Sequence, residues 1–490
     1  MTEPSSATDH GQRAASPLVK NLRFTRYRVL GSPICRGGAV LAGALLMTWP
    51  ALYNGYPLLF PDSMSYLEDG PLVARALFLH RFSADYGGRS FIYCLGILPL
   101  HWNVAPWPIV ALHAILAAYV IWLVVRSLLP QHTVARYFTL VVPLSLLTGL
   151  GWFVGWIMPD ILGPVLYLSI YLLVFTRETL SRAERLVLFL IAWWAVASHT
   201  THLILAAGMC IFLASLVRPH RKSISGRMRA VGEVALIILI AAAAHLALHS
   251  YLYGEASLNG KRPPFLMARV IADGPGMRYL QQRCEDLHLS ICAHVHDLPD
   301  NVANFLWGIH GIWRGSSADQ QERLRGDEMP VVLGTLRAYP REELMISAGH
   351  FWRQLHTFGL WGYDPNPWIL QMIDPVLPGG RARYLQSRQA QETLHEEFFT
   401  SVQQWTVMAS LVLIGVSALF VRQGWPHRML GLTAIIVFVV IANAAVTGVL
   451  SNVEDRYQAR VIWLVPLLAG ICVLEWLDHH PRQDCEEQLP

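Results

Sequence analysis

Charge is what this chain has least of. Only 15% of its 490 residues are Asp, Glu, Lys or Arg, against about 25% in soluble domains. Hydrophobic residues make up 53% and the mean hydropathy is +0.37. A chain this poor in charge reads as an all-α polytopic membrane protein. The net charge of +4 is small. Its basic residues lie in short segments between apolar runs and not on one face of a soluble domain, which argues against nucleic acid as a partner. CxxC pairs and Cys/His ligand spacings are lacking too, so the seven cysteines give no support to a structural zinc site. Cys284 and Cys292 share one polar segment, and they are candidates for a disulfide if it faces an oxidising compartment. No Gly-rich loop is present to cradle the phosphates of a nucleotide sugar. A convincing small-x-small cleavage site is missing after the first apolar run. That run therefore reads as a retained span, preceded by the basic residues Lys20, Arg23, Arg26, Arg28 and Arg36.

What is present is a succession of apolar runs. A bilayer core needs about 20 apolar residues in a helix. On that basis the sequence predicts about ten spans, near 38–57, 105–126, 137–157, 161–176, 186–199, 202–217, 231–251, 404–422, 428–450 and 460–477. The runs at 186–199 and 202–217 are short. Residues 91–100 are apolar but end in "PLHWNVAPWP", and are expected to lie in the interface. Lys and Arg gather at the N-terminus and in "RSLLPQHTVAR", "TRETLSRAER", "RPHRKSISGRMR" and "RQGWPHR". With an even number of spans all of these fall on one side, which the positive-inside bias makes cytoplasmic. The expected organisation is then a basic cytoplasmic segment 1–37, seven helices in 38–251 with an acidic outer loop at 58–90, an α-rich extracytoplasmic subdomain at 252–403, three helices in 404–477, and a cytoplasmic tail 478–490. A bacterial inner membrane is the expected location, with both termini cytoplasmic.

The chemistry-bearing residues concentrate on the expected outer face. "YPLLFPDSMSYLEDG" follows the first span directly and carries Asp62, Glu68 and Asp69. In a helix beginning at Asp62, Tyr66 is its i, i+4 partner. Asp62 also suits a helix N-cap. Arg75, His80, Arg81 and Arg89 follow in the same loop, and acid and base together beside a bilayer suit an anionic, lipid-borne substrate. Asp160 lies in "GWIMPD" between two spans, as a cap after Pro159 or as an acid facing the same cavity as Asp62. "SHTTH" places His199 and His202 at a turn between the two short spans, where irregular backbone is tolerated if it lines a cavity. "SNVEDRYQAR" places Arg456 and Arg460 at i, i+4 just before the last span. Two guanidiniums there can grip a phosphate in bidentate geometry, and arginines on the outer side run against the positive-inside bias.

This layout resembles the GT-C class of membrane glycosyltransferases, which includes protein O-mannosyltransferases and aminoarabinose transferases. The likeness rests on "FPDSMSYLED" after the first span, "SHTTH" between paired short helices, a late outer subdomain, and "DRYQARVIWLVPLLA" leading into a Pro-containing span. In that class a first-loop Asp acts as base or binds a metal, and basic outer residues hold a polyprenyl phosphate. The resemblance implies Asp62 as catalytic base and Arg456 as phosphate ligand. It further implies Tyr66, Glu68, Asp69, Arg81, Arg89, Asp160, His199, His202 and Arg460 as substrate-binding candidates. The family's adjacent Asp-Glu pair is replaced here by Pro61 and Ser63 around Asp62, with Glu68–Asp69 the nearest equivalent, and histidine stands where the family has lysine. The implied partners are a polyprenyl-phosphate-linked sugar and membrane lipid, with a divalent metal left open. The function expected from this is transfer of the sugar to a lipid, glycan or protein hydroxyl at the outer face. The alternatives are a transporter or flippase, which would place ionisable groups near mid-membrane, and a non-catalytic scaffold.

Overall fold

A computed structural model describes residues 33–83, 86, 88–216, 224–308, 310–420 and 425–479. Nearly all of the basic segment 1–37 and of the tail 478–490, parts of "RPHRKSISGRMR" and "RQGWPHR", and the cytoplasmic placement read from them lie outside these residues. All regular structure among the described residues is helical, with a single isolated backbone bridge between Leu58 and Trp156.

Six helices are long and apolar enough to cross a membrane: Ile34–Asn54, Trp107–Leu128, Met228–Tyr253, Glu396–Leu419, His427–Leu450 and Asp455–Asp478. They coincide with six of the ten expected spans. Large apolar side chains stand exposed along them, among them Leu45, Leu239, Val412 and Leu419. Exposed apolar surface on helices of this length is what lipid covers. The chain is an integral membrane protein.

The other expected spans are shorter helices, including Pro159–Phe175 and Thr200–Leu216. A 17-residue helix covers only about 26 Å, just under the hydrocarbon thickness. The run at 137–157 is two helices, Thr133–Leu147 and Leu150–Gly155. Thr148 adopts an extended backbone and bonds the Leu144 carbonyl through Oγ1, while the Gly149 amide is taken by the Gln403 side chain. The apolar letters run on, but the backbone does not. Phe91–His101, the expected interfacial helix, packs along the helix Pro61–Leu79.

One apolar core runs through the membrane helices, and a second gathers Met267, Ile271, Leu280, Phe305, Leu324 and Val331. The segment 252–403 is divided between them. Its first part forms the second core, while Leu360, Tyr363, Ile369, Tyr384 and Leu394 join the first. The structure pairs Cys284 with Cys292.

A polar clamp ties the first part to the loop before the last span. The Gln354 amide, fully buried, bonds the Glu454 peptide twice: Nε2 donates to the carbonyl at 2.9 Å and Oε1 accepts from the N–H at 2.9 Å. Buried Arg269 donates to the Ser451 carbonyl and, through Nε, to Asp273 Oδ2 at 2.8 Å. His350 Nε2 lies 2.9 Å from Asp273 Oδ1. Glu343 is buried beside this cluster, and its Oε1 has no hydrogen-bond partner among the described residues. Burial, and then the Asp273 charge, push its pKa up from 4.5 to about 7, with Arg269 opposing. A carboxyl raised in the folded state stabilises fully below its unfolded pKa, and that stabilisation is lost as pH rises through the folded value. Thermal denaturation of the purified chain should therefore lose this contribution between about pH 4.5 and 7. Glu343→Gln should flatten that slope, and an unchanged slope would show that Glu343 stays ionised throughout.

Candidate active site

Two helix starts carry the acids. Phe60-Pro61-Asp62 opens the helix Pro61–Leu79, and Met158-Pro159-Asp160 opens the turn Pro159–Ile161 that runs into Leu162–Phe175. Proline suits the first helical position because its φ is preset and it has no N–H to leave unpaired. An aspartate directly after it meets the positive helix end. The segments before the two prolines are joined: Leu58 N–H donates to the Gly155 carbonyl at 2.9 Å, and Ile157 N–H to the Leu58 carbonyl at 3.0 Å. Phe60 packs edge-on to Trp156 at 5.6 Å between ring centres. The segments leading into two carboxylates about a hundred residues apart in sequence are thus joined, and Arg456 lies within electrostatic reach of both.

Asp62 is half engaged. Arg89, from the loop before Phe91–His101, ion-pairs with Oδ1. Oδ2 faces Arg456 Nη1 at 4.0 Å, too far for a hydrogen bond. The Arg456 guanidinium lies 4.3 Å over the Phe60 ring and 4.9 Å from the Tyr457 ring, and Nη2 donates to the Tyr457 hydroxyl at 3.3 Å. Aromatic faces hold a planar cation with little hydrogen bonding, so part of its donor fork stays available. Arg456 and Asp62 remain 18% and 16% exposed. A surface pair of Arg456 with its sequence neighbours does not form. Asp455 accepts from the Gly359 amide, and Glu454 accepts from Asn452.

Arg460 is one helical turn deeper and differs in kind. Only 2% exposed, it donates to Asp160 Oδ1 at 3.2 Å and to Asn443 Oδ1 at 3.0 Å. Asn443 is itself fixed by Nδ2 bonds to the Tyr457 carbonyl at 2.6 Å and to Gln458 Oε1 at 2.9 Å. Arg456 and Arg460, expected as two phosphate ligands, therefore divide. Arg460 is committed to a buried ion pair, and Arg456 stands over the half-free carboxylate.

His199 and His202 have ring centres 5.4 Å apart. His199 Nδ1 accepts from the Thr201 N–H at 3.1 Å, so a neutral ring carries its proton on Nε2. His202 Nδ1 lies 2.9 Å from the Ala195 carbonyl, which can only accept, so its proton is on Nδ1. The remaining His202 Nε2 is a buried acceptor without a partner among the described residues. A Cβ on Gly163 would sit 3.0 Å from it, so only glycine leaves the ring this space. His199 lies within electrostatic reach of Arg460, Arg89 and Arg456.

Tyr66, 2% exposed, stacks edge-on to Tyr93 at 5.0 Å. Tyr93 OH in turn meets His113 Nε2 at 3.1 Å. Asp69 is buried on the same helical face as Asp62 and Tyr66, since seven residues make nearly two full turns. Glu68 falls about 120° around the helix from Asp62. Arg81 lies beyond the far end of a 19-residue helix, roughly 28 Å from Asp62, so the structure does not bring it to the set. The sequence reading missed Phe60, Tyr457 and Asn443. Asn443 was detectable as a lone amide in "VFVVIANAAV"; the two rings depend on a packing that no spacing rule encodes.

A divalent metal does not fit this arrangement. Asp62 lies between two guanidiniums, which repel a cation. Among the described residues no group of three or more His, Cys, Asp or Glu side chains is placed to hold an ion. No protein-family model, curated protein or solved structure matches the chain.

Proposed function

We propose that the chain is a GT-C-type glycosyltransferase. It moves a sugar from a polyprenyl-phosphate carrier to a hydroxyl of a lipid, glycan or protein at the outer face of a bacterial cell membrane. In this reading residues 252–403 face outward and both termini face the cytoplasm. The observation that supports it is the gap between Asp62 Oδ2 and Arg456 Nη1, 4.0 Å wide, with a carboxylate oxygen on one side and an incompletely bonded guanidinium on the other.

The chemistry follows from those two groups. The acceptor hydroxyl gives its proton to Asp62 Oδ2 as its oxygen bonds to the anomeric carbon. The bond from that carbon to the phosphate oxygen breaks, and the electron pair leaves with the phosphate. Arg456 neutralises the phosphate through two N–H donors, and His199 Nε2–H supplies another donor nearby. Arg89 holds Asp62 in place through Oδ1. Attack opposite the leaving group inverts the anomeric centre. Asp62 and Asp160 each stand in the first turn of a helix, which favours surface chemistry over a path for transport through mid-membrane.

Arg456→Lys tests the reading. It keeps the charge but loses the planar fork and the fit over Phe60. The apparent KM for the lipid donor should rise about tenfold or more, the loss of a charge-assisted hydrogen bond. Donor dependence equal to that of the unsubstituted chain would remove the phosphate role from Arg456.

A further inference from the structure

The helix Pro340–His356 lies in the segment expected to be an extracytoplasmic subdomain, yet it shows apolar side chains to its surroundings. Leu344, Met345 and Trp352 are 70%, 66% and 62% exposed. Glu343, His350 and Gln354 stand at i, i+7 and i+11, which places them on one helical face. That face meets the protein: Glu343 and Gln354 are buried, and His350 bonds Asp273. Met345 and Trp352 fall about 180–200° away, on the opposite face, with Leu344 at their side. The preceding helix, Ala318–Ala338, adds exposed Met329, Leu333 and Leu336 at i, i+4 and i+7. Apolar stripes of this extent mark a surface that something covers.

Two observations say what covers it. The first is position. The helix packs along the span His427–Leu450, near its Leu450 end. A Cβ on Gly448 would sit 2.9 Å from Gln354 Cβ and 3.0 Å from the His350 carbonyl oxygen, so the two backbones approach closely. A Cβ leaves the side of a helix, so this contact is lateral and not end-on. The Met345 and Trp352 face therefore looks away from the bundle at the level where the span leaves the bilayer, and Ile441 and Leu450 stand exposed on the same span. The second is charge. From Met329 to Arg353 the only acids are Glu342 and Glu343. Glu342 pairs with Arg278 at 2.5 Å, and Glu343 is buried. Arg337, Arg341 and Arg353 are exposed, and none of them takes part in an ion pair among the described residues. Apolar side chains with a tryptophan and a rim of arginines suit a helix lying in the headgroup layer, where long basic side chains reach phosphates. An anionic leaflet attracts such a helix.

We infer that the helix Pro340–His356 docks on the surface of the bilayer, with Leu344, Met345 and Trp352 among the acyl chains and Arg337, Arg341 and Arg353 on the phosphates of anionic phospholipids. The inference does not depend on the transferase reading, nor on which side of the membrane the helix occupies.

The test is photolabelling of the full chain, reconstituted in phosphatidylcholine vesicles with and without phosphatidylglycerol. A trace of phosphatidylcholine carrying a diazirine on its acyl chain is the probe, and mass spectrometry of the digested chain locates the adducts. Adducts are expected within residues 342–353 as well as on the spans, with a yield in 342–353 several-fold higher when phosphatidylglycerol is present. Leu344→Gln together with Met345→Gln should lower that yield about tenfold or more, because less apolar area is drawn into the acyl chains, and should leave labelling of the spans unchanged. Both positions are exposed, so the fold should tolerate the change. Arg337→Gln together with Arg341→Gln should remove the dependence on phosphatidylglycerol. Labelled spans beside an unlabelled 342–353 would overturn the inference, and cross-linking of two chains through this face would then name a second copy as its cover. Labelling of 342–353 that ignores phosphatidylglycerol, or that survives Leu344→Gln with Met345→Gln, overturns it too.

Discussion

Asp62→Asn should lower transfer by about 10²-fold or more, the loss expected when a general base is removed, with yield and melting temperature close to those of the unsubstituted chain. Geometry separates the two effects. The amide keeps an oxygen to accept from Arg89, and that pair is partly exposed, 25% on the arginine and 16% on the aspartate. Partly solvated pairs contribute only about 0–1 kcal/mol. What Asn cannot do is take a proton at the position of Oδ2, opposite Arg456. Glu68→Gln and Asp69→Asn are the internal comparison. Glu68 points elsewhere around the helix, and its substitution should leave the rate unchanged. Asp69 lies on the Asp62 face, below Tyr66 and buried. Its substitution should reduce yield before it reduces the rate per folded molecule. A fully active Asp62→Asn beside an inactive, well-folded Asp69→Asn would move the base one segment along the helix. Activity in all three variants would end the catalytic reading of this loop.

The sequence carried six of the ten expected spans, because their signal is composition summed over about 20 residues, which survives small errors of boundary. It carried the acids and arginines as well, because a charge beside an apolar run stands out. Asp62, Asp160 and Arg456 could be named from their letters. Their relation could not. The Leu58–Trp156 bridge that joins the segments leading into Asp62 and Asp160 is a backbone contact, and backbone contacts leave no trace in residue type. The break at Thr148–Gly149 depends on Gln403, some 250 residues away in the chain.

Arg456 and Arg460 show the same limit most sharply, and they lead to the second large effect. An i, i+4 pair of like residues suggests like roles, but one turn of helix separates a partly open guanidinium from one that is 2% exposed. A buried pair is costly to break from one side, because the remaining charge stays in a place without water. Loss of one partner typically costs about 3–5 kcal/mol. Arg460→Leu, leaving Asp160 alone, should therefore give a sharply lower melting temperature and poor yield in detergent. Arg460→Leu combined with Asp160→Leu removes both charges and should recover much of that loss, since apolar replacements of buried pairs are often neutral. The double variant then reports on Asp160 itself. If it is folded and active, Asp160 serves only to position the last span and with it Arg456. If it is folded and inactive, Asp160 acts on substrate alongside Asp62. A single Arg460→Leu chain with an unchanged melting temperature would mean that the pair is not closed in the folded protein, and Arg460 would return to Arg456's side as a second phosphate ligand.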